Sequence, residues 1–510
     1  MTAVAFGILF AASIGQGTAE PRFHASTLSF PEGEDGRWFA PMDGDGREDL
    51  LLGVAKGGIR EIWIYLQTSE GGFPAQPDRR VTLKGDIVAF ATLDVRPEPG
   101  EELLFFTATS CFSYSTALEG FAGNARRIFA WDLICDVPDS EGLLKIEGVA
   151  RSPSGPLIVL PGFPPGQSGG DECYGIFAPS TSGGAASDGA PWEIRGRLPL
   201  RGLRTEKRRS GRREIGIRIE SDRENPLQDL VVPPGGSDEG GGMLLYVRRW
   251  LPAAVSADAD GDGRDDVFLL DKQPAAPQLR VHLQAVDGKF SEAPSWTGRL
   301  PDEDDPDSLV VSDIDGDGRA DLIARSSGLD GGKLFFFRNR GGRFEPSEPD
   351  QVMKFAGMGL EARAIDLDGD RRVELAVTST EIPATSVATG GRVERRLFIH
   401  RSGGDRPFDP RPALRHEETF TASEIEGIGL GIVLDADLLG RGIRDALSVE
   451  RDGTIAARHL TRDLGLESAP FWRFDPGRRI RGIEARDLNG DGRSDVILRH
   501  RRGLTLMVSR

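Results

Sequence analysis

Apolar residues in this sequence occur in short runs with the spacing of β-strands rather than helices. Segments such as EIWIYLQ (61–67), KLFFFR (333–338) and RLFIH (396–400) have the length and the period-two character of strands. Gly and Pro are frequent, at 66 and 33 residues, as expected where many short strands need many turns. The pattern predicts an all-β chain that requires no helix longer than a turn or two.

A short acidic segment directly precedes several of these apolar strands. It follows the pattern D-x-D-G-D-G-R-x-D, and its nine residues are called positions 1 to 9. Three complete copies, one of them with Asn in place of an Asp, occupy 258–266, 313–321 and 487–495. Two further copies depart from the pattern: 41–49 has Pro41 at position 1, and 366–374 has Arg371 at position 6 and Glu374 at position 9.

Fainter copies lie in the gaps between these five. Residues 94–102 (DVRPEPGEE) keep some of the acidic residues, and 152–162 keep only the strand. Residues 437–445 (DLLGRGIRD) keep both glycines but place Arg441 at position 5. A guanidinium there replaces a bound cation with a built-in charge, so we interpret this loop as a structural relic rather than a metal site.

The copies recur about every 50 to 55 residues, a period that matches one four-stranded blade of a β-propeller. A turn containing Phe recurs in phase, at Phe73, Phe290, Phe344 and Phe408. The repeat is therefore strand, acidic loop, strand, hairpin, strand, Phe turn, strand. Loops near 41, 94, 148, 258, 313, 366, 437 and 487 predict eight blades, with seven and nine as the alternatives.

The two ends of the chain predict how the ring closes. The last repeat starts at 487 and lacks a Phe turn and a fourth strand, whereas residues 23–30 precede the first acidic loop and can supply the missing strand. Closure of this kind leaves no open sheet edge at the seam. We therefore predict a single propeller over 23–510, with 201–250 as an insertion or a degenerate blade within it.

The first residues resemble an export signal. An apolar run from Ala3 to Ile14 is too short to cross a bilayer, and Gly17-Thr18-Ala19 resembles a cleavage site. One feature departs from the usual pattern, since no Lys or Arg precedes the run. We predict a signal peptide over 1–19, no transmembrane segment, and a location that is secreted, periplasmic or at the cell surface.

The charge and the cysteines exclude some classes of partner and site. The chain has 80 acidic and 63 basic residues and a net charge of −17, which argues against nucleic acid as a partner. Its three cysteines, Cys111, Cys135 and Cys173, allow at most one disulfide, and none has a C-x-x-C spacing, so zinc is excluded on this pattern.

From about residue 30 to 510, these loops in phase resemble the FG-GAP/VCBS repeats of the integrin alpha-subunit propeller and of many secreted bacterial proteins. The resemblance implies bound Ca²⁺, with side-chain ligands at positions 1, 3, 5 and 9 and a backbone carbonyl ligand at position 7. For the complete loops it implicates Asp258, Asp260, Asp262, Arg264, Asp266, Asp313, Asp315, Asp317, Arg319, Asp321, Asp487, Asn489, Asp491, Arg493 and Asp495. For the two departing loops it implicates Asp366, Asp368, Asp370, Arg372, Glu374, Asp43, Asp45, Arg47 and Asp49.

The residues themselves support a calcium loop of this type. Alternate acidic residues let a tight loop aim several oxygens inward, and glycines allow backbone angles that a side chain forbids. An EF-hand shares part of the pattern but needs a Glu at position 12 and flanking helices. Position 12 here is Leu52, Leu269, Ala324, Val377 or Leu498, each inside a predicted strand. An EF-hand is therefore excluded.

No group of residues in the sequence indicates catalysis, and the six scattered histidines are predicted to be structural. The leading hypothesis is a non-enzymatic, extracytoplasmic calcium-binding propeller that binds a protein or glycan through loops on one ring face. The alternatives are a calcium-dependent polysaccharide lyase or hydrolase, for which no base stands out, and a structural or assembly component. The sequence does not indicate an oligomeric state.

Overall fold

The computed structural model describes residues 20–32, 34–118, 124–133, 144–145, 149–152, 155–165, 173–180, 192–199, 209–210, 213–214, 254–271, 278–299, 308–327, 331–341, 344, 348–381, 392–421 and 432–510. Within these ranges the chain forms strands and turns and no helix. The predicted signal peptide (1–19), Cys135 and most of the predicted insertion (201–250) lie outside the described residues.

Eight β-sheets form the blades of a closed ring, as the repeat predicts. Blade 1 contains β2 (Glu34–Ala40), β3 (Asp49–Lys56), β4 (Ile59–Tyr65) and β5 (Arg79–Thr82). Blade 2 contains β6 (Ile87–Leu93), β7 (Glu102–Thr107), β8 (Ser110–Tyr114) and β9 (Arg126–Ala130). Blade 3 contains β12 (Val149–Ser152), β13 (Gly155–Phe163), β14 (Cys173–Pro179) and β15 (Trp192–Pro199).

The second half of the ring is the more regular one. Blade 4 contains β18 (Ala254–Ala257), β19 (Asp266–Asp271), β20 (Gln278–His282) and β21 (Trp296–Arg299), and blade 5 contains β22 (Ser308–Ser312), β23 (Asp321–Ser327), β24 (Gly331–Phe337) and β25 (Gln351–Ala356). Blade 6 contains β26 (Met358–Ile365), β27 (Glu374–Glu381), β28 (Arg392–His400) and β29 (Leu414–Thr421). Blade 7 contains β30 (Val433–Ala436), β31 (Asp445–Val449), β32 (Ile455–His459) and β33 (Trp472–Phe474).

Blade 8 combines strands from the two ends of the chain. It contains β34 (Gly482–Arg486), β35 (Asp495–His500), β36 (Gly503–Ser509) and, as its outermost strand, β1 (Phe23–Ser29). β1 runs antiparallel to β36, with Phe23 opposite Ser509 and Ser29 opposite Gly503. The prediction that an N-terminal strand completes the last blade is confirmed.

Blades 2 and 3 are joined in an irregular way. β10 (Asp132–Leu133) leaves blade 2 and pairs with the end of β13 in blade 3, whereas β12 pairs with the beginning of β13. Between them, β11 (Leu144–Lys145) returns to blade 2 and pairs parallel to β6. The short strands β16 (Arg209–Ser210) and β17 (Arg213–Glu214) pair only with each other among the described residues.

Apolar side chains fill the space between neighbouring blades, and the Phe turns close it at one end. Phe73, Phe290, Phe344 and Phe408 are all buried. The Phe344 ring lies 6.1 Å from that of Phe268 in blade 4, and the Phe408 ring lies 5.2 Å from that of Phe336 in blade 5. The repeated Phe is therefore the residue with which each blade packs against the preceding one.

The acidic loops and the Phe turns lie on the same face of the ring. Each acidic loop connects the first and second strands of a blade, and each Phe turn connects the third and fourth. In an antiparallel sheet these two connections are at the same end. We call this end the acidic face. Position 12 of each of the five best loops lies in a buried strand, as the exclusion of an EF-hand requires.

Candidate metal centre

Position 9 of the acidic loops carries a buried carboxylate that ties the loop to its blade. Asp321 is 1% exposed. Its Oδ2 accepts the backbone N–H of Ile314 at 2.8 Å, and its Oδ1 accepts the backbone N–H of Asn339 at 2.6 Å. Ile314 belongs to the same loop and Asn339 follows the third strand of the blade. The same pair of contacts recurs at Asp49, Asp266 and Asp495.

Burial raises the pKa of these carboxyl groups. Desolvation is the largest cause at each of them; backbone hydrogen bonds lower the pKa in part, and nearby carboxylates of the same loop raise it further. The pKa is about 6 for Asp49, Asp266 and Asp495, and about 7 for Asp321 and Glu374. A cation held next to these groups would offset the repulsion that contributes to the shift.

Without a divalent cation, the protein is expected to be more stable at about pH 5 than at about pH 8. The pKa of these carboxyl groups in the folded protein lies above the value of about 4 in an unfolded chain. The folded state therefore binds more protons between those values, and stability is lost as the pH rises through that window. Melting temperatures in EGTA at the two pH values test this, and a lower melting temperature in acid would contradict it.

The carboxylate at position 1 organises the loop from within. In the loop at 313–321, Asp313 Oδ1 accepts the N–H groups of Gly316 (2.8 Å) and Asp317 (3.1 Å), and Oδ2 accepts that of Gly318 (2.8 Å). The φ angles of Gly316 and Gly318 are 77° and 85°, in the region that favours glycine. Asp258, Asp366 and Asp487 make equivalent contacts.

The carboxylate at position 5 forms an ion pair with the arginine at position 7. Asp317 Oδ1 accepts the backbone N–H of Arg319 at 2.9 Å, and Asp317 Oδ2 lies 3.0 Å from Arg319 Nη1. Arg264 pairs with Asp262 in the same way, as does Arg47 with Asp45. The repeat pattern implies only a backbone carbonyl ligand at position 7 and gives no indication of this side-chain contact. A bound cation has to compete with these arginines.

In each of three loops, three carboxylate oxygens lie within 4.8 Å of one another. The groups are Asp258, Asp260 and Asp262; Asp313, Asp315 and Asp321; and Asp366, Asp368 and Glu374. Among the described residues, the other two loops form no such group of acidic side chains. The structure thus brings together the acidic residues of the departing loop at 366–374, whereas those of the complete loop at 487–495 are farther apart.

The difference at 487–495 has a local cause. Position 3 is Asn489, whose Nδ2 donates to the carbonyl of Ser509 at 3.1 Å. The carboxylate at position 5, Asp491, is drawn to the same residue and accepts the Ser509 hydroxyl hydrogen at 2.8 Å. Arg493 donates to the carbonyl of Arg510 at 3.1 Å. The loop at 41–49 has Asp43 and Asp45 at positions 3 and 5 but Pro41 at position 1.

The three carboxylate groups fit a calcium ion. Every side-chain donor in them is a carboxylate oxygen, the hard ligand that calcium prefers, and alternate spacing in a glycine-rich loop suits its flexible geometry. Two buried amide oxygens next to these loops, Gln284 Oε1 and Asn339 Oδ1, have no hydrogen-bond partner. Buried acceptors left unpaired in this way call for an ion or a water as partner.

Two arginines weaken the loop at 366–374 as a site, one in contact with it and one within it. Arg401 Nη1 lies 3.5 Å from Asp368 Oδ2, at position 3. Arg371, at position 6, has a φ of 71° where the other loops place glycine. A side chain in this conformation costs about 1 to 2 kcal/mol.

Replacement of Arg371 with glycine is expected to stabilise the folded protein by about 1 kcal/mol, because the strain at its positive φ is removed. Unfolding by urea in EGTA, compared with the wild-type protein, measures the change. Arg372→Gly is the matched control: it has no such φ to relieve, so added freedom of the unfolded chain is expected to lower its stability. An equal loss of stability in both variants would contradict the assignment of strain to Arg371.

A guanidinium contacts the position-9 carboxylate in blade 7. Arg441 Nη2 lies 2.8 Å from Asp445 Oδ1 and 2.8 Å from His459 Nδ1. Asp437, at position 1, keeps its contacts with the backbone N–H groups of Arg441 and Gly442. The loop therefore has the usual shape with an arginine in it, which supports its interpretation as a relic.

A second internal guanidinium lies in blade 2, and the sequence analysis did not single it out. Arg96 occupies position 3 of the faint copy at 94–102 and is buried. It donates to Ser113 Oγ at 2.9 Å and to Asn124 Oδ1 at 3.0 Å. The signal was present in the sequence, since an arginine stands where the complete loops have a carboxylate.

Three histidines lie in buried strands and support turns. His282 Nδ1 is 3.0 Å from the carbonyl of Ser291, and His400 Nδ1 is 2.8 Å from that of Asp409. Both carbonyls directly follow a Phe of the Phe turns. His500 Nε2 is 2.8 Å from Thr505 Oγ1. Burial lowers the pKa of His400 and His500. These contacts agree with the structural role predicted for the three, whereas Nε2 of His400 is buried without a hydrogen-bond partner.

Comparisons with known proteins agree with the repeat. The model of the FG-GAP-like repeat family matches residues 258–324, which contain two of the three carboxylate groups. A search of curated proteins gives no match. The described part of the chain contains no helix that is long and apolar enough to span a membrane.

The solved structures similar to this chain include one titled as a propeller. A structure titled as the Dos1 propeller is 10% identical, covers 95% of both chains and has a TM-score of 0.45. The exotype rhamnogalacturonan lyase YesX is 15% identical over 96% of this chain and 74% of its own, with a TM-score of 0.34. BBS1N in complex with ARL6DN is 9% identical over 93% and 92%, with a TM-score of 0.37. The chain is therefore an eight-bladed β-propeller, and its residues 258–324 match the FG-GAP-like repeat family.

Proposed function

We propose that this protein is a non-enzymatic, calcium-stabilised propeller that acts outside the cytoplasm and binds a protein or glycan ligand through loops on one ring face. The observation that carries the proposal is that three loops on the acidic face each hold three carboxylate oxygens within 4.8 Å of one another. Like charges held this close repel one another, and a divalent cation between them turns that repulsion into binding energy.

Carboxylates at different positions of the loop have different roles in holding the ion. Those at positions 1 and 9 already accept backbone N–H groups and fix the shape of the loop, as at Asp313 and Asp321. Those at positions 3 and 5 are on the exposed part of the loop and close over the ion. Calcium, when bound, supplies the positive charge that joins these groups. Extracellular sites of this kind bind calcium at roughly 10⁻⁴ to 10⁻³ M, which suits a location outside the cytoplasm.

Strand direction favours the face opposite the acidic loops for ligand binding. The longest connections begin and end there: β15 ends at Pro199 and β18 begins at Ala254, and β27 ends at Glu381 and β28 begins at Arg392. Long loops on a rigid scaffold often carry binding residues. In this arrangement calcium holds the scaffold on one face and the ligand binds on the other.

The proposal is tested by incubating the calcium-loaded protein with a panel of acidic and neutral polysaccharides. Retention is measured together with the release of unsaturated and reducing ends, and a parallel series contains EGTA. Retention without cleavage supports a glycan-binding propeller. Release of new chain ends overturns the non-enzymatic assignment. If no polysaccharide of the panel is retained or cleaved, protein recognition or a role in assembly remains.

A further inference from the structure

Consecutive acidic loops touch one another around the ring. The glycine at position 4 of one loop faces position 6 or 7 of the next, so that an added Cβ would meet that neighbour within 4 Å. The pairs are Gly44 and Gly100, Gly261 and Arg319, Gly316 and Arg371, Gly369 and Gly442, Gly440 and Arg493, and Gly490 and Gly46. Seven loops in blades 4 to 8, 1 and 2 therefore form one continuous row.

Backbone hydrogen bonds connect most members of this row. The N–H at position 8 of one loop donates to the carbonyl at position 1 or 2 of the preceding loop. These bonds run from Ala320 to Asp258, Arg444 to Leu367, Ser494 to Asp437, Glu48 to Leu488 and Glu101 to Pro41. Each is between 2.7 and 2.9 Å long. The main chain of one loop is thus a fixed support for the next.

The loops at 258–266 and 313–321 are joined most closely, because side chains add to the backbone bond. Arg319 Nε donates to the carbonyl of Asp260 at 3.2 Å. Asn339 Nδ2, from the end of the third strand of blade 5, donates to the carbonyl of Ala259. The same Arg319 forms the ion pair with Asp317 in its own loop. One guanidinium therefore contacts the backbone of the loop at 258–266 and a side chain of the loop at 313–321.

We infer that calcium binds to these two loops with positive cooperativity, and that Arg319 couples them. This inference rests on the proposed binding of calcium. In the loop at 313–321, Asp317 lies outside the group formed by Asp313, Asp315 and Asp321 and is paired with Arg319. It can add an oxygen to an ion in that group only when Arg319 releases it. The remaining acceptor of Arg319 is the carbonyl of Asp260, and an ion bound by Asp258, Asp260 and Asp262 fixes that carbonyl in place. Binding at the first loop thus favours release of Asp317 at the second.

The corresponding arginines of other loops do not cross to a neighbouring blade in this way. Arg264 Nε donates to the carbonyl of Gln284, and Arg47 Nε donates to that of Gln67, both in the same blade. Arg493 Nη1 donates to the carbonyl of Arg510, also in its own blade. These arginines supply matched controls for the role assigned to Arg319.

The experiment uses the full chain with Asp45→Asn, Asp368→Asn and Asp491→Asn. These substitutions remove carboxylates from the other loops, so that only the loops at 258–266 and 313–321 bind calcium. Calcium titration, followed by calorimetry, is expected to give two sites with a Hill coefficient of about 1.5, which corresponds to a coupling of about tenfold. Addition of Asp260→Asn or Asp317→Asn is expected to leave one site, with half-saturation at about threefold higher calcium. Circular dichroism in EGTA establishes that each variant is folded.

The variant Arg319→Gln separates coupling from binding. It is expected to reduce the Hill coefficient to about 1 and, in the background with Asp260→Asn, to strengthen the remaining site, because Asp317 has lost its competitor. Arg47→Gln, in a loop that does not bind calcium in this background, is expected to leave the Hill coefficient unchanged. Two independent sites in the parent, or a Hill coefficient that Arg319→Gln does not alter, overturn the coupling alone. No calcium binding by the wild-type chain overturns the proposed function itself.

Discussion

Removal of calcium with EDTA is expected to lower the melting temperature of the protein by about 4 °C. Each site with a dissociation constant near 10⁻⁴ M adds about 1.4 kcal/mol to the free energy of unfolding at about millimolar calcium. Three carboxylate groups together add about 4 kcal/mol, and the entropy of unfolding of a chain of this size is about 1 kcal/mol/K. Differential scanning calorimetry in calcium and in EDTA measures the shift.

Two controls make this result specific. Calcium added back in excess of the chelator is expected to restore the melting temperature. Magnesium at the same concentration is expected to restore less of it, because magnesium demands octahedral geometry and gives up water reluctantly. A melting curve that is the same in calcium and in EDTA would remove the basis for a calcium-stabilised ring.

Replacement of Asp321 with alanine is expected to lower the free energy of unfolding by about 3 kcal/mol even in EDTA. The change leaves the buried N–H groups of Ile314 and Asn339 without an acceptor, and each such group costs about 1 to 3 kcal/mol. Urea unfolding of the calcium-free protein measures the loss. This part of the loss does not require calcium because these bonds are made by the protein alone; in calcium the variant also loses a carboxylate of the proposed site.

Asp317→Ala is the matched control from the same loop. Its side chain is partly exposed and bonds only within the loop among the contacts described. In EDTA it is expected to change stability by about 0.5 kcal/mol or less, whereas in calcium it also removes one site. If Asp321→Ala and Asp317→Ala lower the free energy of unfolding by the same amount in EDTA, position 9 has no special structural role.

The repeat and the blades could be predicted from the sequence because their signals are local. The period of the acidic loops, the Phe turns and the apolar strands gives the blade, and the missing fourth strand after 487 indicates the closure by β1. The split inner strand of blade 3 could not be predicted in this way. β10 and β12 are separated along the chain and become one edge of β13 only through tertiary pairing.

The candidate site was predictable in its residue types but not in its geometry. By its sequence, the loop at 487–495 is the better candidate for a calcium site than the loop at 366–374. In the structure, however, only the loop at 366–374 of these two holds three carboxylates close together. One reason is in the loop itself, where position 3 is Asn489 rather than Asp. Another is the contact of Asp491 with Ser509, which lies in the third strand of the blade and is not marked by the loop pattern. In the same way, the bond from Arg319 to Asp260 depends on how neighbouring blades pack. Such contacts between repeats are invisible to a pattern read one repeat at a time.

Because β1 pairs with β36, the ring cannot finish folding until β36 has been synthesised. Thr27 and Thr505, which face each other in this pair, are 478 residues apart. At roughly 5 to 20 residues per second, a ribosome needs about half a minute or more to produce the partner of β1. Until then β1 is an unpaired strand with an apolar side, open to wrong pairing. Closure is therefore an event that follows synthesis, and a factor that shields β1 during that interval would raise the yield of folded protein.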